Sequence, residues 1–124
     1  MTTPIPIKIF GLSNCTNCQK TLKILNEKKI NFEFSDVRKN SIDYETLLTW
    51  CQSVGWERLL NKRSTTWRNL NKNEKDNLNQ EYILKLILRH PTLIKRPVII
   101  LRRKILIGYN DLKNYINNDE VLND

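Results

Sequence analysis

Residues 5–28 read IPIKIFGLSNCTNCQKTLKILNEK, and this stretch decides the fold. Ile5 to Phe10 is a short β-like run ending at Gly11, and Gln19 to Lys28 carries apolar residues at helical spacing. Between them stands Cys15-Thr16-Asn17-Cys18. A cysteine pair at a strand-to-helix turn is a redox or nucleophile geometry. The start of a helix carries unpaired N–H groups and a partial positive charge, which favour thiolate over thiol. Such placement lowers a cysteine pKa from about 8.5 into roughly the 3.5–7.5 range. Cys15, nearer the helix start, is the expected nucleophile. Cys18 shares its helix face and is expected to resolve a mixed disulfide by attacking Cys15. Its other reading is packing, in an apolar stripe with Leu22 and Leu25.

Outward from the pair, Asn31 to Ser35 alternates polar and apolar residues and reads as a second strand. Asp43 to Val54 has one apolar helical face, with Ser41 or Asp43 able to cap it and Gly55 to break it. Trp56 to Asn61 is expected to form another helical turn, Arg63 to Leu70 a polar, aromatic connection, and Glu74 to Asn77 a short helix. Glu81 to Arg89 is an apolar-faced helix ended by His90-Pro91. Val98 to Leu101 and Lys104 to Ile107 are β-branched runs around Arg102-Arg103, a hairpin signature. Asn110 is the expected cap of a last helix carrying Leu112, Tyr115 and Ile116, and the tail beyond is expected to fray. The order βαβ, several helices, ββα predicts an α/β, thioredoxin-like fold. Its four-stranded mixed sheet has a parallel, right-handed βαβ half, a helical insertion over about 41–90 and an antiparallel ββα half, in one domain. Pro97 offers no N–H where it enters the third strand, and a cis bond after Arg96 is expected there.

The 124 residues suffice for a single core. The net charge is +8, yet the chain has no alanine and is crowded with Asn, Lys and Ile, the bias that A/T-rich coding imposes. Basic residues are scattered apart from Arg102-Arg103-Lys104 at a hairpin tip, so direct nucleic-acid binding is not expected. No apolar stretch approaches the roughly 20 residues that span a bilayer, and no basic-then-apolar leader opens the chain. A cytoplasmic protein without membrane contact is the expectation, and there a close cysteine pair is catalytic, redox-sensing or metal-binding. Structural zinc sites draw on two short ligand clusters, whereas only one stands here beside the isolated Cys51 and His90, so no metal is expected. Cys51 reads as core. A monomer with no tightly bound cofactor is expected.

Three segments together resemble one family: IFGLSNCTNCQK at 9–20, Arg63-Ser64-Thr65-Thr66-Trp67-Arg68, and His90-Pro91 through Lys95-Arg96-Pro97 to Gly108-Tyr109. They resemble the ArsC family, the arsenate-reductase-like branch of thioredoxin-fold proteins that includes the YffB-type reductases and the Spx/MgsR regulators. The resemblance implies a nucleophile at Cys15 and an anion-stabilising Arg96 beside a cis Pro97, and guanidinium suits that task because it does not titrate. It implies a thiol–disulfide oxidoreductase using glutathione as co-substrate or a glutaredoxin-like donor, with contacts to glutathione at Asn14, Lys20, Arg63, Arg68 and Pro97. Two further arginines of the glutaredoxin-coupled arsenate reductases fall at Asn61, two residues before Arg63, and at Gly108, so a trianionic substrate would meet fewer fixed cations here. The Spx side of the family implies an alternative. In it the cysteine pair is a redox switch, and the C-terminal domain of the RNA polymerase α subunit is bound through Gly55.

Overall fold

The computed structural model describes residues 6–118. In chain order the elements are β1 (Ile7–Gly11), α1 (Thr16–Glu27), β2 (Phe32–Asp36), α2 (Tyr44–Val54), α3 (Trp56–Leu59), α4 (Thr65–Asn69), α5 (Gln80–Arg89), β3 (Val98–Ile100), β4 (Ile105–Ile107) and α6 (Tyr109–Asn117). Single 3-10 turns at Asn73–Lys75 and Pro91–Leu93 flank α5. The chain divides into two compact units, one holding the described residues up to Asp36 and from Arg96 onward, the other Val37–Lys95.

The first unit is a four-stranded sheet in the order β2-β1-β3-β4. β1 and β2 run parallel with Ile7 beside Phe32 and Gly11 beside Asp36, while β3 is antiparallel to both β1 and β4. This is the expected thioredoxin-like arrangement of a βαβ half joined to a ββα half. Because alternate strand residues share a face, Ile7, Ile9, Ile99 and Leu106 point the same way. They form one core with Leu101, with Leu25 of α1 and with Leu112 of α6. Ile9, Leu25, Ile99 and Leu112 are completely shielded from solvent, and truncating any of them to alanine costs about 2–5 kcal/mol. The end of α1 is closed by Lys29, which takes a left-handed conformation at φ 57°. There the Ile30 N–H reaches the Leu25 carbonyl at 3.0 Å and the Lys29 N–H reaches that of Asn26 at 3.1 Å, which stops the helix and turns the chain into β2.

The second unit is helical, with α2 packed on α5 and α3. Its apolar interior is supplied by Leu47, Trp50, Leu59, Ile83, Leu84, Leu86 and Ile87, with Cys51 buried beside them on the inner face of α2 as expected. Three of its helices begin on oxygen caps. Asp43 Oδ1 accepts from the Thr46 N–H at 2.7 Å, Ser64 Oγ from Trp67 at 3.1 Å, and Asn79 Oδ1 from Tyr82 at 2.9 Å.

Local differences from the sequence reading have physical causes. Helix α1 starts at Thr16 and not Gln19, so the cysteine turn is itself helical. Arg63 to Leu70 is not a plain connection, because the Ser64 cap nucleates the short α4. Trp67 completes that turn, with the ammonium groups of Lys62 and Lys75 at 5.9 and 5.6 Å from its ring centre. Helix α6 is not capped by Asn110. It begins two residues earlier, at Tyr109 after Gly108 at φ 91°, and Asp111 Oδ2 accepts from the Ile107 N–H at 3.0 Å. The expected short helix near Glu74 is the single 3-10 turn at Asn73–Lys75. Most of the expected fraying tail lies outside the described residues.

Candidate active site around Cys15

Parallel pairing of β1 and β2 brings the carboxyl ends of both strands to one edge of the sheet, where the connection from Gly11 to Thr16 begins. Asp36, only 9% exposed at the end of β2, holds that connection: its Oδ2 accepts from the Ser13 hydroxyl at 3.1 Å and the Ser13 N–H at 3.4 Å. Ser13 in turn offers its carbonyl to the Gln19 side chain at 3.2 Å, tying the loop to the first turns of α1. The Cys15 N–H closes on the Leu12 carbonyl at 3.2 Å.

Cys15 is thereby the N-cap residue of α1, extended at φ −91° and ψ 125°. A sulfur stands where most helices place an oxygen cap, and the first turn contains no acidic residue. Burial by itself raises the Cys15 pKa. The opposing influences prevail: the Cys18 N–H, the Cys18 thiol, the Arg96 guanidinium and the Asn17 N–H all favour the thiolate and hold its pKa below the ordinary thiol value. Cys18 is 1% exposed. Burial, the hydrogen bond its thiol donates to Cys15 and the charge on Cys15 push its pKa up to about 12, against a backbone hydrogen bond from Leu12 and the pull of Arg96. The two thiols are thus divided into a half-buried one whose thiolate is favoured and a sealed one whose thiol is favoured. Cys15, Cys18 and Cys51 are all free. Cys51 is buried, and burial followed by the negative charge of Glu57 raises its pKa.

The Arg96 guanidinium hydrogen-bonds Cys15; the Arg96–Pro97 peptide is cis, as expected, and leads directly into β3. Pro97 is buried, and its carbonyl accepts from the Gly108 N–H at 2.8 Å. Cys15, Cys18, Arg96 and Pro97 therefore come together at one end of the sheet unit. Asn14 is exposed in the loop just before Cys15. Lys20 is exposed on α1 with its ammonium 5.8 Å from the Tyr109 ring centre, so its cation is directed to an aromatic face.

Arg63, Arg68 and Gly55 belong to the other unit. Arg63 is exposed, with its N–H on Asn61 Oδ1 at 3.0 Å, and Arg68 is exposed on α4 with Nη2 3.4 Å from Thr65 Oγ1. Gly55 joins α2 to α3 at φ 87°, a left-handed conformation that explains the glycine. Sequence reasoning did not find Asp36 or Ser13 as parts of the site. The signal for Asp36 was its place at the end of a strand parallel to β1, which requires the register to interpret.

Residues 10–114 match the model of the ArsC family. An uncharacterized protein of Haemophilus influenzae is 40% identical over 105 residues, covering 85% of this chain and 92% of that protein. Global transcriptional regulator Spx 2 of Bacillus anthracis is 29% identical over 108 residues, 85% of this chain and 81% of the regulator. A solved structure of a YffB protein superposes with a TM-score of 0.84 at 32% identity, covering 90% of this chain and 96% of that one. Fold, the order of motifs and the matched span agree, and this chain belongs to the ArsC family.

Proposed function

We propose that the protein is a thiol–disulfide oxidoreductase that takes its electrons from glutathione, with Cys15 as nucleophile. The observation that carries the reading is the Cys15 sulfur at the start of α1, with Arg96 hydrogen-bonded to it and its pKa held down. In the first step the Cys15 thiolate attacks the glutathionyl sulfur of a mixed disulfide. A Cys15–glutathione disulfide forms and the substrate thiolate leaves, taking a proton from water. In the second step a glutathione thiolate attacks the glutathionyl sulfur of that adduct. Glutathione disulfide is released and the Cys15 thiolate is regenerated. The net exchange consumes one glutathione thiol for each substrate thiol freed.

The leaving step benefits from the same features as the attack, since a low-pKa thiolate departs readily. Cys18 is the weaker resolving group. Burial in the sealed position raises its pKa and disfavours the thiolate that would attack the adduct, so an external thiol outcompetes it. Its role in this reading is to donate its S–H to Cys15. In this reading Asn14, exposed just before the nucleophile, and Lys20, exposed on α1, are polar contacts for glutathione, and Pro97 shapes the groove beside Cys15. Such chemistry calls for a reducing compartment containing glutathione.

Turnover of a glutathione mixed disulfide that disappears in Cys15→Ser is the expected result. Its persistence in that variant would refute the reading. A second reading, a redox-sensing regulator that binds the RNA polymerase α C-terminal domain, draws support from the kinship to Spx 2. It requires binding that is lost in Gly55→Arg, together with no turnover.

A further inference from the structure

We propose that Gly11, the last residue of β1, is a positioning residue for the thiol pair: its missing side chain leaves the space that the Cys18 sulfur fills, and this seat aims the Cys18 S–H at Cys15. The inference rests on the reading of Cys15 as a reactive thiolate.

Gly11 is buried and does not adopt a left-handed backbone, so conformational freedom does not explain the glycine. Space does. A Cβ built on Gly11 would fall closer than 3.0 Å to Cys18 Sγ, a separation that real Cβ atoms essentially never show. Its other neighbours are at ordinary contact distance: Cys18 Cβ and Phe34 Cε1, both at 3.6 Å. The obstruction is thus confined to one sulfur atom. That atom cannot yield cheaply. A cysteine has a single side-chain torsion, a helix excludes one of its three staggered positions for most residues, and Cys18 is fully enclosed. Rotation away from Gly11 redirects the S–H, and the Cys15 thiolate then loses a donor.

The geometry dictates a double-mutant cycle between Gly11→Ala and Cys18→Ala. Removing the sulfur removes the clash, because the remaining Cβ at position 18 sits at normal contact distance. In Gly11→Ala alone, alkylation of Cys15 at about pH 6 is expected to slow by about tenfold and the pH midpoint to rise, as in Cys18→Ala alone, since each loses one hydrogen bond to a charged sulfur. Combined, the two substitutions are expected to do no more than Cys18→Ala. The thermal midpoint is expected to drop in Gly11→Ala and to recover when Cys18→Ala is added. Should Gly11→Ala fail to fold, folding of the double variant supports the same contact. Failure of both refutes it, because the glycine would then serve the backbone. Equal and additive losses in the two backgrounds, or an unchanged Cys15 midpoint in Gly11→Ala, also overturn the proposal. An ordinary midpoint in the unaltered protein would instead refute the proposed function, while the thermal cycle would still report on the contact.

Discussion

Three of the four helices of the 37–95 unit start on oxygen caps, α3 on Gly55 being the exception, whereas neither helix of the sheet unit does. α2, α4 and α5 open on Asp43, Ser64 and Asn79, whose oxygens take the N–H groups of Thr46, Trp67 and Tyr82. α1 and α6 open on Cys15 and Gly108, which supply no oxygen cap. An oxygen cap satisfies the helix start from within and adds about 1 kcal/mol of stability. A sulfur in that position leaves the donors and the positive end of the dipole to stabilise its own thiolate. The helical unit closes three of its four helix starts with oxygens; the sheet unit leaves that of α1 to the Cys15 sulfur.

The largest effect expected from breaking this contrast comes from Cys15→Ser. Serine is a better cap than cysteine but a poor nucleophile. Mixed-disulfide turnover should fall by more than about a thousandfold, while the thermal midpoint stays level or rises. Loss of stability together with activity would show that the sulfur packs and does not merely cap. Next is Arg96→Met, which removes a donor from the thiolate and should lower turnover about a hundredfold, with Arg96→Lys only partly restoring it.

Opposite signs in the pH dependence of stability are the third expectation. In the unfolded chain a thiol loses its proton at about 8.5, whereas native Cys18 holds its proton up to about 12. Between those values the unfolded state binds fewer protons, so stability falls as pH rises, and Cys18→Ala should make that decline shallower. Cys15 contributes the reverse. Its stabilisation is complete above the unfolded value and is lost as pH falls through its lower native one. Chemical denaturation from neutral to strongly alkaline pH in both variants checks the two slopes. The smallest effect is Asn79→Ala, expected to cost about 1 kcal/mol in denaturation and to leave the alkylation rate of Cys15 unchanged. A change in that rate would mean that the caps of the helical unit reach the thiol.

Much of this was legible before the coordinates. The run Ile7 to Gly11, the cysteine turn and the apolar face of α1 are local patterns, and each is decided by neighbours within a few residues. The Arg96–Pro97 entry to β3 was legible because proline limits where the chain can go. What stayed hidden depends on contacts between distant segments. The hold of Asp36 on Ser13 follows from the parallel register of β1 and β2, and the space at Gly11 follows from where α1 lies against β1. The true start of α1 at Thr16 is hard to read because Cys15 is not among the usual capping residues. α4 is illegible locally because five residues with two threonines give little helical pattern beyond the cap.

The rate of Cys15 alkylation against pH, in the native protein with Cys51 replaced by alanine, tests the central claim most directly. A midpoint well below the ordinary thiol value of about 8.5, rising in Arg96→Met, is the expected result. A midpoint at or above that value, unmoved by the loss of Arg96, would contradict the account.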